Sequence, residues 1–172
     1  MAFLNVEIKA YCYNPGNIRL FLQQNNASFT GTDNQVDTYF NTNKGRLKLR
    51  EGNIENNLIY YERADTAGPK DSSFILVKVE DAAGLKKALS VSMGIKTVIK
   101  KKREIYYIDN VKFHIDEVEG LGSFVEIEAG NVLANLDRDQ LQQQCDYYIT
   151  ALGIKDPDML SHSYSDMFLE NV

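Results

Sequence analysis

Three short stretches of this chain set charged side chains at alternate positions between apolar ones: Val6-Glu7-Ile8-Lys9-Ala10, Leu47-Lys48-Leu49-Arg50 and Phe124-Val125-Glu126-Ile127-Glu128. An extended strand sends successive side chains to opposite faces. Glu7 therefore shares a face with Lys9, Lys48 with Arg50, and Glu126 with Glu128. If those faces meet water, the pattern is ordinary polar-out alternation. If they line the inside of a barrel, they form a basic channel flanked by carboxylates, which suits a polyphosphate and a metal ion.

The basic candidates are Lys9, Lys48, Arg50, Arg63, Lys78, Lys101 and Arg103. Most sit among Ile, Leu, Val or Tyr, and Lys48/Arg50 and Lys101/Arg103 recur at period two. Enclosing so many cations costs several kcal/mol per ion unless they are paired, so an interior location demands carboxylates and a multivalent anion. Glu7, Asp116, Glu126 and Glu128 supply the carboxylates. Hard oxygen ligands of this kind hold Mg²⁺ or Mn²⁺ beside phosphate oxygens, while Lys and Arg neutralise the remaining oxygens.

Other chemistries find little support. Lys44-Gly45-Arg46 lacks the spacing and the hydroxyl of a phosphate-binding P-loop. Gly120-Leu121-Gly122 reads as a tight turn. His114 and His162 are the only histidines, with no HExxH and no Cys/His cluster. His114 shares a strand face with Asp116 and could reach a channel, although a structural role is its default reading. No GxSxG elbow supports nucleophilic serine chemistry.

Bulk properties narrow the classes further. The chain has 172 residues, 44% of them hydrophobic and 25% charged, enough for a substantial core in one domain over 1–172. Its net charge of −5 argues against sequence-independent nucleic-acid binding, which rests on Lys and Arg neutralising phosphates. The basic run from Lys96 to Arg103 points instead to a local anion site on an acidic protein. No apolar run approaches the roughly 18–20 residues that span a bilayer, and no secretory leader is visible. Cys12 and Cys145 are far apart and outside any CxxC spacing, as expected for reduced thiols. The expectation is a cytoplasmic protein with no membrane partner.

The elements that must position these residues are mostly strands. Alternation predicts strands at Phe3–Tyr13, Gln35–Phe40, Arg46–Glu51, Asn57–Ala64, Ser73–Glu80, Lys96–Ile108, Lys112–Val118 and Ser123–Ala129. A further short strand is read at Ser28–Thr30, followed by a turn at Gly31-Thr32-Asp33-Asn34. Asn14-Pro15-Gly16 opens a short helix that ends near Asn25-Asn26. Asp81 caps a helix that runs to Met93 and stops at Gly94. Asp137–Leu152 reads as a long helix ended by Gly153, with short helical pieces beyond Asp156. Asp65–Asp71 reads as a flexible loop. Many strands with short turns and few helices favour a barrel or a strongly curved sheet.

The order of these pieces resembles the CYTH superfamily of triphosphate tunnel enzymes, and within it the bacterial proteins described as class IV adenylyl cyclases. The resemblance is carried by Asn5-Val6-Glu7-Ile8-Lys9-Ala10, Gln35-Val36-Asp37-Thr38-Tyr39-Phe40, Gly45-Arg46-Leu47-Lys48-Leu49-Arg50-Glu51, Tyr61-Glu62-Arg63, Lys101-Lys102-Arg103, His114-Ile115-Asp116, Gly120 through Glu128, and Ser163-Tyr164-Ser165-Asp166. It implies an α+β fold: an eight-stranded antiparallel β-barrel tunnel with flanking helices. It implies a triphosphate such as ATP held on Lys9, Lys48, Arg50, Arg63, Lys78, Lys101 and Arg103. By the same resemblance Glu7, Asp116, Glu126 and Glu128 would hold Mg²⁺ or Mn²⁺, with Glu7, Lys9, Lys101 and Arg103 as the catalytic set. Pairing into homodimers is a family habit. The family signature is ExExK, and this chain carries Asn5 at its first acidic position. An amide can coordinate through its carbonyl oxygen but brings no charge. The implied activity is an adenylyl cyclase, with triphosphate hydrolysis or non-catalytic polyphosphate binding as the alternatives.

Overall fold

A computed structural model describes residues 2–171. The strands are β1 (Ala2–Tyr11), β2 (Ser28–Phe40), β3 (Arg46–Glu51), β4 (Asn56–Arg63), β5 (Lys70–Lys78), β6 (Ile95–Ile108), β7 (Val111–Val118) and β8 (Gly122–Gly130). The helices are α1 (Pro15–Gln24), α2 (Ala82–Met93), α3 (Arg138–Ala151) and α4 (Tyr164–Glu170), with a 3₁₀ turn at Asp156–Asp158. The strands close into an antiparallel barrel in the order β1-β5-β4-β3-β2-β6-β7-β8. The expected eight-stranded barrel with flanking helices is therefore the observed fold. Among the described residues no helix is long and apolar enough to cross a membrane.

The main apolar core lies outside the barrel. Val6, Ile8 and Ala10 of β1, Phe113 and Ile115 of β7, and Val125 and Ile127 of β8 face outward. There they meet Ile18 and Leu22 of α1 and Leu141 and Cys145 of α3. Period-two alternation then requires the other face of each strand to point inward. Those inward residues are the charged ones: Glu7 stands opposite Glu128, and Lys9 opposite Glu126, in the β1–β8 register. The helices thus fix which face of the sheet stays dry, and the polar face becomes the lumen. A second apolar cluster of Tyr39, Tyr61, Ile99, Val118, Phe124, Tyr164 and Met167 packs where α4 meets the barrel.

Local signals set most boundaries. Asn14 accepts a hydrogen bond from the Asn17 amide at the start of α1, with Pro15 in its first turn. Asp81 caps α2, and Gly94 ends it at φ 76°. Reciprocal capping boxes open α3 through Asp137 and Gln140, and α4 through Ser163 and Asp166. Cys12 and Cys145 are both buried free thiols.

Most expected element ends fall within one or two residues of those observed, as where β1 stops at Tyr11 and not Tyr13 and β5 at Lys78 and not Glu80, but two differences are larger. The turn expected at Gly31–Asn34 does not form, and β2 runs unbroken from Ser28 to Phe40. Gly31, at φ 142°, absorbs the irregularity as a register shift between Phe29 and Gly31 against β6. Asp33 is wholly buried, and its carboxylate accepts from the amides of Ile54 and Glu55. A turn-like composition therefore serves the neighbouring β3–β4 hairpin rather than a turn of its own. The other difference is at β5, which starts at Lys70 within the expected loop, paired with Glu7 of β1.

Candidate functional site

Inside the barrel lies a cavity of about 160 Å³. Lys9, Lys48, Arg50, Arg63, Lys101, Arg103 and Lys112 line it together with Glu7, Glu55, Glu126 and Glu128. Seven basic side chains thus face four carboxylates within a protein of net charge −5. Asn5, Tyr39, Tyr61, His114 and Tyr164 also reach the lining, and Ile59, Phe74 and Leu76 give it an apolar wall on β4 and β5.

Of the residues singled out in the sequence, Glu7, Lys9, Lys48, Arg50, Arg63, Lys101, Arg103, Glu126 and Glu128 all meet at this cavity. Lys78 does not. It shares the inward parity of Ser72 and Phe74, but it sits at the end of β5, opposite Asn57, and is exposed. Asp116 stands outside the lining, gripped by Arg103, whose Nε and Nη2 donate to its two oxygens at 2.7 and 2.6 Å. Tyr164 Oη donates to the same carboxylate at 2.7 Å.

The cations are held in place by internal counter-ions. Asp37, with no exposed surface, accepts from Arg50 Nε and Nη2 at 2.9 Å each, from Lys48 Nζ at 3.0 Å and from Lys101 Nζ at 2.7 Å. Burial alone would raise its pKa, but Arg50, Lys101 and Lys48 outweigh this and hold it well below the usual carboxylate range. Glu55 accepts from Arg50 at 2.9 Å and from Lys112 at 2.6 Å. Arg63 donates to Glu7 at 2.8 Å through Nη1, while its Nε has no partner. Burial, above the neighbouring charges, lowers the Lys9 ammonium to about 8. That ammonium sits 3.7 Å from the centre of the Tyr164 ring, a cation–π contact supplied by the C-terminal segment.

One corner of the wall is different. Glu128 has His114 Nδ1 at 3.8 Å, and no Lys or Arg nitrogen of the described residues lies within 4.0 Å of its carboxylate. Burial, reinforced by Glu126, pushes its carboxyl up to about 8. Glu126 accepts from Arg103 at 3.0 Å and has Lys9 at 3.9 Å. Lys9 and Arg103 together overcome its burial and hold it ionised. His114 is 1% exposed, and burial, followed by Arg103 and Lys112, lowers its pKa to about 3. It is therefore a neutral imidazole, and its 3.8 Å approaches to Glu126 and Glu128 are not ion pairs. Ligand atoms of His114, Glu126 and Glu128 lie within 4.8 Å of one another. This set, in which the Glu128 carboxylate has no Lys or Arg nitrogen of the described residues within 4.0 Å, fits a divalent cation.

Lys112 and Glu55 escaped the sequence reading, whereas His114, read as able to reach a channel but structural by default, does line the cavity. Lys112 extends the alternation of His114 and Asp116, so same-face spacing on β7 was its signal. Glu55 had none, because it lies in the hairpin turn and meets Lys112 only through barrel closure.

Known proteins agree with this architecture. A protein of Methanocaldococcus jannaschii described as "Putative adenylate cyclase" is 28% identical over 181 residues, covering 95% of this chain and 98% of that one. The structure of the PH1012 protein from Pyrococcus horikoshii superposes with a TM-score of 0.80 at 24% identity, covering 94% of this chain and 98% of the other. A structure from Vibrio parahaemolyticus, also titled a "putative adenylate cyclase", gives 0.77 at 16% identity, with 96% and 98% covered. At these identities both structures speak for the fold alone. The CYTH domain family matches residues 4–164, and this chain belongs to it.

Proposed function

We propose that this protein is a metal-dependent enzyme acting on a nucleoside triphosphate, with cyclisation of ATP to cyclic AMP and pyrophosphate as its reaction. The observation that carries the reading is the two-sided lining of one cavity. A wall of seven cations suits a triphosphate. The Ile59, Phe74 and Leu76 wall of the same cavity offers apolar surface to an organic group attached to it.

In this reading Lys9, Lys101 and Arg103 neutralise the charge that gathers on the departing pyrophosphate, and Lys48, Arg50 and Arg63 grip the remaining oxygens. The guanidinium and ammonium groups of Lys48, Arg50, Arg63, Lys101 and Arg103 are already held by Asp37, Glu7 and Asp116, so they need little reorganisation as charge develops. Glu7, Glu126 and Glu128 would hold the cation, with Asn5 beside them adding an oxygen but no charge. A divalent ion at this place supplies Lewis-acid polarisation of a phosphoryl oxygen. The 3′-oxygen of the ribose attacks the α-phosphorus, its proton leaves to solvent or to a site base, and the bond from the α-phosphorus to the pyrophosphate oxygen breaks. Positioning of the substrate in line is the protein's main contribution.

A second reading, hydrolysis of inorganic triphosphate, draws on the cavity volume. About 160 Å³ is below the roughly 300–1,000 Å³ of a pocket that encloses a whole drug-sized molecule. Incubation with ATP and either Mg²⁺ or Mn²⁺, followed by chromatographic product analysis, separates the two. Cyclic AMP and pyrophosphate support the cyclase, whereas ADP and phosphate, or faster turnover of inorganic triphosphate, sink it.

A further inference from the structure

His114 is a buried polar side chain with neither ring nitrogen hydrogen-bonded, and it is aimed into the cavity. Leaving a buried polar atom unpaired costs about 1–3 kcal/mol, so an unpartnered imidazole in a wall otherwise dense with hydrogen bonds calls for a ligand. Its cross-strand neighbours leave it a single polar direction. Ile105, 1% exposed, stands opposite it on β6, and Glu126 stands opposite it on β8. Nδ1 lies 3.8 Å from Glu126 Oε2 and 3.8 Å from Glu128 Oε1. Both separations are too long for hydrogen bonds. Both are within the span of about 4.4 Å open to two atoms that each bind one ion at about 2.0–2.2 Å.

We propose that His114 donates Nδ1 to the divalent cation held by Glu126 and Glu128, which makes the site a mixed nitrogen–oxygen centre. The proposal rests on the reading that these carboxylates hold a cation. It adds that the ion is chosen partly by an imidazole. All-oxygen sites suit Mg²⁺, Ca²⁺ and Mn²⁺, whereas imidazole favours Ni²⁺, Zn²⁺ and other later first-row ions. Later ions bind most sites more tightly than Mg²⁺ in any case, so the diagnostic quantity is how far the preference depends on His114.

The test uses the full chain, stripped of metal with a chelator and loaded with Mn²⁺, and reads nitrogen hyperfine coupling to the bound ion by pulsed electron paramagnetic resonance. The chain has only two histidines, so His162→Ala serves as the control. The expected result is ¹⁴N coupling in the wild type and in His162→Ala, replaced by ¹⁵N coupling when histidine is labelled with ¹⁵N, and absent in His114→Gln. Ni²⁺ affinity should fall in His114→Ala by at least about ten-fold, the lower end of the loss caused by removing even an outer partner of a metal ligand. Mg²⁺ affinity should hardly move. If the His114 variants do not fold, the labelled wild type and His162→Ala decide the matter alone. Mn²⁺ bound without nitrogen coupling, yet lost in Glu126→Gln, overturns the His114 assignment and leaves the carboxylate site standing. Absence of any cation binding, or binding that survives both Glu126→Gln and Glu128→Gln, overturns the carboxylate reading itself.

Discussion

Asp37 and Glu128 are carboxylates on different strands of one barrel, and their surroundings are opposite. Asp37 is enclosed by Lys48, Arg50 and Lys101, all within 3.0 Å, and is fully ionised. Glu128 has no Lys or Arg nitrogen of the described residues within 4.0 Å, and burial with Glu126 outweighs the more distant Lys112 and pushes its carboxyl up to about 8. A carboxylate that already accepts four charge-assisted hydrogen bonds is part of the framework: in the proposed reading it pre-positions cations for an anion that arrives later. A carboxylate left short of positive charge is free to take up a cation. In the proposed reading the saturated part of the wall organises, and the unsaturated part takes the metal ion.

The largest expected effect tests the saturated side. Asp37→Ala leaves three buried cations without their common partner and should cost about 3–5 kcal/mol, measured by urea denaturation of the ligand-free protein. Inorganic triphosphate should restore more stability to this variant than to the wild type, because the ligand replaces the lost anion. A stability change within experimental error would remove the distinction drawn above.

Next comes Tyr164→Phe, which takes one hydrogen bond from Asp116 but keeps the ring over Lys9. A hydrogen bond to a charged group is worth about 1.5–3 kcal/mol, and thermal melts should show a loss of this order.

Glu128→Gln probes the unsaturated side and should behave in the reverse sense. Metal affinity should drop by at least about 10–100-fold, read by calorimetric titration, while the metal-free protein becomes more stable at neutral pH. The sign follows from a pKa raised from 4.5 to about 8 on folding. Stability linked to such a group is full below about pH 4.5 and is lost as the pH rises toward 8. Wild type and variant should therefore melt alike near pH 4.5, with the variant ahead at pH 7.5. Equal melting temperatures at pH 7.5 would falsify the unpaired state of this carboxyl.

The smallest effect belongs to Lys9. Its ammonium, lowered to about 8 chiefly by burial, must be raised by a bound polyanion. Triphosphate affinity in the presence of chelator should be greatest below pH 8 and fall by at most about ten-fold per unit above it. Calorimetry in buffers of different ionisation enthalpy should record proton uptake at pH 8.5. Proton release there would contradict the shift.

Much of this was legible in the sequence, because period-two alternation is a direct record of which side chains share a face. Glu7 with Lys9, Lys48 with Arg50, and Glu126 with Glu128 each share a face as their spacing predicts, and that face, which spacing left open between solvent and lumen, lines the cavity. What spacing cannot give is depth along the barrel axis. Lys78 has the right parity and misses the cavity because it sits at the strand's end. Nor can it show that an acid is consumed by a neighbour, as Asp116 is by Arg103, since that pairing depends on the β6–β7 register. Glu55 and Asp33 lie in stretches with turn-like composition. Apart from the Arg50–Glu55 pair, their roles come from contacts about twenty residues or more away, which local sequence does not encode.

The closure of the barrel also bears on how the chain reaches it. One edge of β1 pairs with β5, but the other waits for β8, whose residues Gly122–Gly130 lie more than a hundred positions downstream. During synthesis the first strand therefore leaves the ribosome long before its last neighbour exists. Folding dominated by such distant pairings is slow and leaves strand edges open meanwhile. Tyr164, which completes the wall beside Lys9, arrives later still. The cavity wall is finished only when α4 docks, so a chain truncated before α4 would keep the barrel's strands yet lack the ring that covers Lys9.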